Sequence, residues 1–170
     1  MPRWPISDEA AREMYAGGHG NETARWWARM WMRVFRLGLL PRRWVTLEVP
    51  GRKTRRTTLF PLGMADLDGH WYLVSMLGEC SWVANVRAAG GDVVLRRRRR
   101  RPVHLVEVPE ERRGPIVRRY VAKVPGGRPH IPVRRGAPVA EFVLIADRYP
   151  VFEVCDIPPD RRGDGGSRLP

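Results

Sequence analysis

Lysine is nearly missing from this sequence: Lys53 and Lys123 are the only two among 31 basic residues, and the rest are arginine. Acid is scarce too, since 18 Asp and Glu leave a formal net charge of +13. A field of that sign favours anionic partners: a phosphorylated cofactor, nucleic acid or an anionic membrane surface. The two cysteines, Cys80 and Cys155, offer neither a disulfide framework nor a metal-binding spacing, and free thiols are expected. The four histidines (His19, His70, His104 and His130) are scattered, so no metal site is expected. No stretch is long and apolar enough to span a bilayer. Met1 to Glu13 holds no apolar run before a cleavage site, so the chain reads as cytoplasmic. There is no internal repeat, no Ser-His-Asp order and no paired-carboxylate signal.

What is present suits one folded domain. The 170 residues are 43% hydrophobic, enough for a single core and too few for two. Residues 1–20, mixed and ending in Gly17, Gly18 and Gly20, read as a flexible N-terminal segment. Residues 21–40 read as an amphipathic helix, with Trp26, Trp27, Met30, Trp31, Val34 and Phe35 on one broad face and Pro41 as its stop. The domain proper is expected over 41–157, followed by a disordered Gly- and Arg-rich tail over 158–170.

Within the domain, Trp44 to Pro50 alternates like a half-buried strand. A basic turn follows, Gly51-Arg52-Lys53-Thr54-Arg55-Arg56, and then a second strand from Thr57 to Met64, where Pro61 suggests an edge or a bulge. Asp68-Gly69 is a hairpin signal, and His70 to Met76 is the returning strand. Ser81 is placed to cap a short helix over Trp82 to Ala89 that Gly90 and Gly91 close. Asp92 to Arg97 and Pro102 to Val108 form a hairpin with an arginine-rich tip. Pro109-Glu110-Glu111 opens a helix with Ile116, Val117, Tyr120, Val121 and Val124 as its apolar face, ended by Gly126-Gly127. A further helix is expected over Ala137 to Arg148, with Val139, Phe142, Val143 and Ala146 inward, and a last strand over Val151 to Cys155. The fold class is α+β, mainly β: a small barrel or a rolled antiparallel sheet with short helices packed outside.

Three features invite a functional reading, each beside a plainer one. The basic turn between two strands suits a phosphate, with Arg as a planar fork, Lys as a point charge and Thr54 as a short donor; it is also what a solvated hairpin loop looks like. Six adjacent arginines, Arg96 to Arg101, could contact several nucleic-acid phosphates, yet no aromatics interleave them and no nucleic-acid fold accompanies them, so a solvated hairpin end is preferred. The tryptophan-rich helix, over 24–37, could lie on a membrane or cover the barrel; the second is preferred.

A set of motifs in order carries a resemblance. Thr46-Leu47-Glu48-Val49-Pro50-Gly51-Arg52-Lys53-Thr54 leads to Arg56-Thr57-Thr58, then Trp71-Tyr72-Leu73-Val74-Ser75, then Ser81-Trp82-Val83-Ala84-Asn85-Val86-Arg87-Ala88. Over roughly 44–155 this resembles the deazaflavin-dependent nitroreductase and quinone reductase family. The resemblance implies a split β-barrel of the FMN-binding type, the cofactor F-420 (or FMN, which the same fold hosts), and hydride transfer to a quinone, nitro compound or activated alkene. It implies that Lys53 and Arg56 neutralise the cofactor phosphate, that Arg52 and Thr54 flank it, and that Thr57 and Thr58 approach the ring. Ser75, Met76, Leu77 and Gly78 are expected to line the ring edge with backbone amides, and Trp82, Asn85 and Val86 to close the site. It also implies pairing of barrels into homodimers. The chain departs from the family pattern in lacking the Gly-x-Pro spacing after Lys53-Thr54, in carrying Met76-Leu77-Gly78 where Lys-Gly is common, and in a short loop before Trp82. For the proton donor, Tyr120 and His130 are the candidates; a non-catalytic cofactor carrier and a basic nucleic-acid-binding protein are the rival readings.

Overall fold

Alternation places the first strand, but Thr46 and Glu48 on its other face are buried as well, so it is not the half-buried strand expected. In the computed structural model, which describes residues 42–157, Val45, Leu47 and Val49 of β1 (Trp44–Pro50) point into a barrel and are almost wholly buried. The expected segment 1–20, the helix over 21–40 and the tail 158–170 lie outside the described residues. β2 (Thr57–Leu67) returns antiparallel to β1, with Trp44 opposite Gly63 and Pro50 opposite Thr57. β3 (His70–Val74) follows across Asp68 and Gly69, both in the left-handed region (φ 50° and 82°), the two-residue turn that matches strand twist.

The remaining strands are β4 (Asp92–Arg96), β5 (Arg100–Glu107) and β6 (Val151–Asp156). They close the sheet in the order β1-β2-β3-β6-β5-β4, all neighbours antiparallel. The fold is thus a mainly β split barrel with short peripheral helices. The split lies along β2: β3 pairs only with Met64 to Leu67, so the first part of β2 is bonded to β1 alone. Met64 N–H donates to the Arg43 carbonyl, on the β1 side. By two-residue alternation, Pro61 turns its missing N–H to the unpaired side, and the expected edge position of that proline is met inside a closed barrel.

Two cores lie on opposite sides of the sheet. The inner one fills the barrel with Leu47, Val49, Leu73, Val103, Leu105 and Phe152, and is plugged at one end by Trp82, Val83 and Val86 of α1 (Ser81–Ala88). The outer one packs α2 (Glu110–Lys123) over β2 and β3 through Ile116, Val117, Tyr120, Val121 and Val124. Gly63 admits this approach: a Cβ there would stand 2.6 Å from Val124 Cγ1. Full burial of each such aliphatic side chain is worth about 1.5–3 kcal/mol.

Some expectations need correction. The long helix over 137–148 is instead α3 (Val139–Val143) and a separate 3-10 turn (Ala146–Arg148). Phe142 and Ala146 point inward as expected, but Val139 and Val143 are exposed. Their helical spacing was genuine, but Pro138 starts the helix late and only one turn forms before the chain changes to 3-10 geometry. Likewise Ser81 is the first residue of α1 rather than its cap; Cys80 caps it, and no side chain bonds the free amides. Gly90 and Gly91 end that helix with φ of 65° and 87°, as the sequence suggested.

Candidate functional site

The basic turn is a closed loop rather than a loose one. Gly51 N–H donates to the Arg56 carbonyl and Arg55 N–H to the Gly51 carbonyl, both at 2.8 Å. Arg55 sits at φ 59°, where a non-glycine residue costs roughly 1–2 kcal/mol. Backbone held in that region at a loop tip is a mark of a site under constraint. Lys53, Arg55 and Arg56 project outward, exposed, and form no ion pair among the described residues. Thr54 Oγ1 accepts the Arg56 N–H at 3.4 Å, so this hydroxyl shapes the turn.

The turn is fastened to α1. Asn85, only 5% exposed, accepts the Arg52 backbone N–H at 3.2 Å and an Arg52 guanidinium N–H at 3.3 Å through one oxygen, Oδ1. Two of the expected residues, Arg52 and Asn85, are therefore brought together, 33 positions apart in sequence. Below them Arg87 binds Glu107 through Nε and Nη2 and Glu79 through Nη1 and Nη2, all within 2.9 Å. That contact, with Arg113 beside it at 3.2 Å, holds the Glu107 carboxyl below its ordinary range. This network was missed by sequence reasoning: its partners come from α1, the loop before it and the end of β5. Arg55 was also left out of the expected site, although its place in the turn was the available signal.

The other expected residues divide. Thr57 is exposed and Thr58 half-buried at the mouth of the barrel, both next to the turn. Ser75 is buried, its Oγ donating to the Gly78 carbonyl at 2.6 Å and lying 3.3 Å from Cys80 Sγ. Ser75 N–H donates to Pro150 O and Gly78 N–H to Ser75 O, while Met76, Leu77, Glu79 and Cys80 are the amides of this loop without a backbone partner among the described residues. Trp82 and Val86 are core residues: the Trp82 ring lies 5.5 Å from the Phe152 ring inside the barrel. The face of α1 that carries them is the one that plugs the barrel. Tyr120 is buried under Gly127, where a Cβ would stand 2.6 Å from the ring Cζ and Oη. His130 receives the Tyr149 hydroxyl on its carbonyl at 3.1 Å. Both belong to the outer, helical layer.

The arginine run is divided among partners. Arg100 donates to the buried Glu48 carboxylate at 2.9 Å, with Arg96 at 3.5 Å, and Arg101 pairs with Asp156. Arg98 and Arg99 occupy the exposed tip. By the strand register this tip and the turn 51–56 lie at opposite ends of the barrel, because Arg96 faces Thr46 near the start of β1 and the turn follows its end.

The donor set suits one part of a phosphate-bearing cofactor: three unpaired cations on a rigid turn, with Arg52 fixed beside them, answer an anion. A hollow of about 400 Å³ opens elsewhere, between the hairpin at 66–71 and Arg119, at the far end of β2.

Compared with models of known families, the chain matches none, and no curated protein matches it. Solved structures do resemble it. An F420-H2 dependent reductase is 24% identical with a TM-score of 0.46, over 68% of this chain and 96% of that one. A domain-swapped dimer is 22% identical with a TM-score of 0.46, over 78% and 99%. A conserved hypothetical protein from Mycobacterium tuberculosis is 12% identical with a TM-score of 0.43, over 91% and 96%.

Proposed function

We propose that this chain is an oxidoreductase that uses the reduced deazaflavin F-420 to reduce a quinone, nitro compound or activated alkene. The observation that carries the reading is the constrained basic turn, whose Lys53, Arg55 and Arg56 face outward without partners while Asn85 anchors its base. When bound, the cofactor supplies a hydride, and the acceptor takes it with a proton. The chain's own part is to hold and orient: Lys53 and Arg56 on the phosphate, Arg52 and Thr54 beside it, and Thr58 with the free Met76 and Leu77 amides toward the ring. The work is set in the cytoplasm, and light scattering on the purified protein would read whether barrels pair.

A second reading, a cofactor carrier without catalysis, is favoured by the position of Tyr120 and His130, the two proton-donor candidates, in the outer helical layer. Anaerobic titration with F-420, reduced and oxidised, and with FMN alongside tests both. Saturable F-420 binding is expected, weakened about a hundredfold or more by Lys53→Ala with Arg56→Ala, since each charge-assisted hydrogen bond is worth about 1.5–3 kcal/mol. Unchanged affinity in that double variant would refute the site. FMN binding without F-420 binding would replace the cofactor, and binding without turnover on any of the three acceptor classes would favour the carrier.

A further inference from the structure

The helical layer exposes apolar side chains beside arginines. Val139 and Val143 of α3 are 40% and 50% exposed, and Leu144, the residue that caps it, is 80% exposed. Phe142, wholly buried, anchors the helix, and Gly114 of α2 lets it approach: a Cβ there would stand 2.6 Å from Val143 Cγ2. The apolar face is therefore held outward by a rigid support.

Charge flanks it along the chain. Arg134 and Arg135 precede the helix in the chain and Arg148 follows it, all exposed and without an ion pair among the described residues. Arg118 lies alongside, its Nε donating to the Ala137 carbonyl at 3.1 Å. Against these four cations, Glu141 and Asp147 are the acids on the same stretch. Exposed leucine and valine cost solvation free energy, and removal of that surface from water is favourable wherever a partner offers an apolar interior behind an anionic front.

We infer that this face is a docking surface for an anionic phospholipid bilayer. Leu144 and Val143 enter the acyl boundary, and Arg134, Arg135 and Arg148 meet the headgroup phosphates. A second copy of the chain is a poorer occupant: a two-fold pairing sets like charge against like, and three side chains offer far less than the roughly 800 Å² per partner of a stable protein interface. The inference does not rest on the turn at 51–56 or on any cofactor.

Flotation of the full chain with vesicles of equal parts phosphatidylcholine and phosphatidylglycerol tests it, with phosphatidylcholine vesicles as the neutral arm. Binding is expected to the anionic vesicles and to fall as salt is raised. Leu144→Asp is expected to weaken partitioning about tenfold or more, and Arg134→Gln with Arg135→Gln about fivefold for each charge removed. Leu144→Ser replaces the aspartate variant if the latter's thermal melt shows misfolding. No flotation of the wild type would overturn the inference. So would full flotation of both Leu144 variants, which would move the contact to another part of the chain such as 24–37, or a dimer that Leu144→Asp converts to monomer without any vesicle binding.

Discussion

Replacing Asn85 by alanine is expected to loosen the basic turn while leaving the barrel folded. Asn85 Oδ1 holds both the Arg52 amide and its guanidinium, at 3.2 and 3.3 Å, long enough to place each bond at the weak end of its range. The backbone bond is worth about 0.5–1.5 kcal/mol net, and the exposed guanidinium regains water when released. Alanine in place of asparagine within α1 returns roughly half a kcal/mol of helix propensity. The balance is a loss of about 0.5 kcal/mol, or roughly 2 °C in Tm for a domain of this size. Urea unfolding reads the stability, and amide exchange at Arg52 reads the tie itself: protection in the wild type, lost in Asn85→Ala. Repeating the substitution in an Arg52→Ala background separates the two bonds, with a coupling of about 0.5 kcal/mol expected for the side-chain part. An Arg52 amide that already exchanges freely in the wild type, or that is equally protected in the variant, would refute the reasoning.

Gly127→Ala drives a methyl into the Tyr120 ring and is expected to cost about 1–3 kcal/mol, measured by thermal melting; Tyr120→Leu in the same chain should return part of it. The Glu107 carboxyl is held below its ordinary value of 4.5 by its hydrogen bond to Arg87, so the folded state binds that proton less readily than the unfolded one. Its stability contribution is therefore present above about pH 4.5 and lost as pH falls through the lower folded value. Arg87→Ala should flatten that part of the acid unfolding curve, and an unchanged curve would assign the acid sensitivity to other groups.

The strands were legible because their cause is local. Val45, Leu47 and Val49 alternate with Thr46 and Glu48, and Asp68-Gly69 can scarcely be anything but a tight hairpin turn. What was not legible depends on position in space. Nothing at residue 48 announces that its carboxylate will meet Arg100, 52 residues away. Trp82 and Val86 carry the same apolar signature whether or not a ligand lies against their helix, and only closure of the sheet shows that they pack inside the barrel. At the candidate site, the cations of the turn and Asn85 were readable as site residues, but that Asn85 fastens the turn through Arg52 required the fold. Val139 and Val143 show the reverse failure: helical spacing indicated a buried face, and a one-turn helix left it in solvent.

The strand order carries a consequence for synthesis. β6 lies between β3 and β5, yet it follows both in the chain, separated from β5 by the whole helical layer. A nascent chain that has emerged through Glu107 holds five strands with two raw borders, β3 on one side and β5 on the other, and no means of joining them. Closure waits for Val151 to Asp156, so the ring is sealed from its last strand inward, after α2 and α3 have had time to settle on its outer wall. Until then each border is an open invitation to any other extended chain nearby.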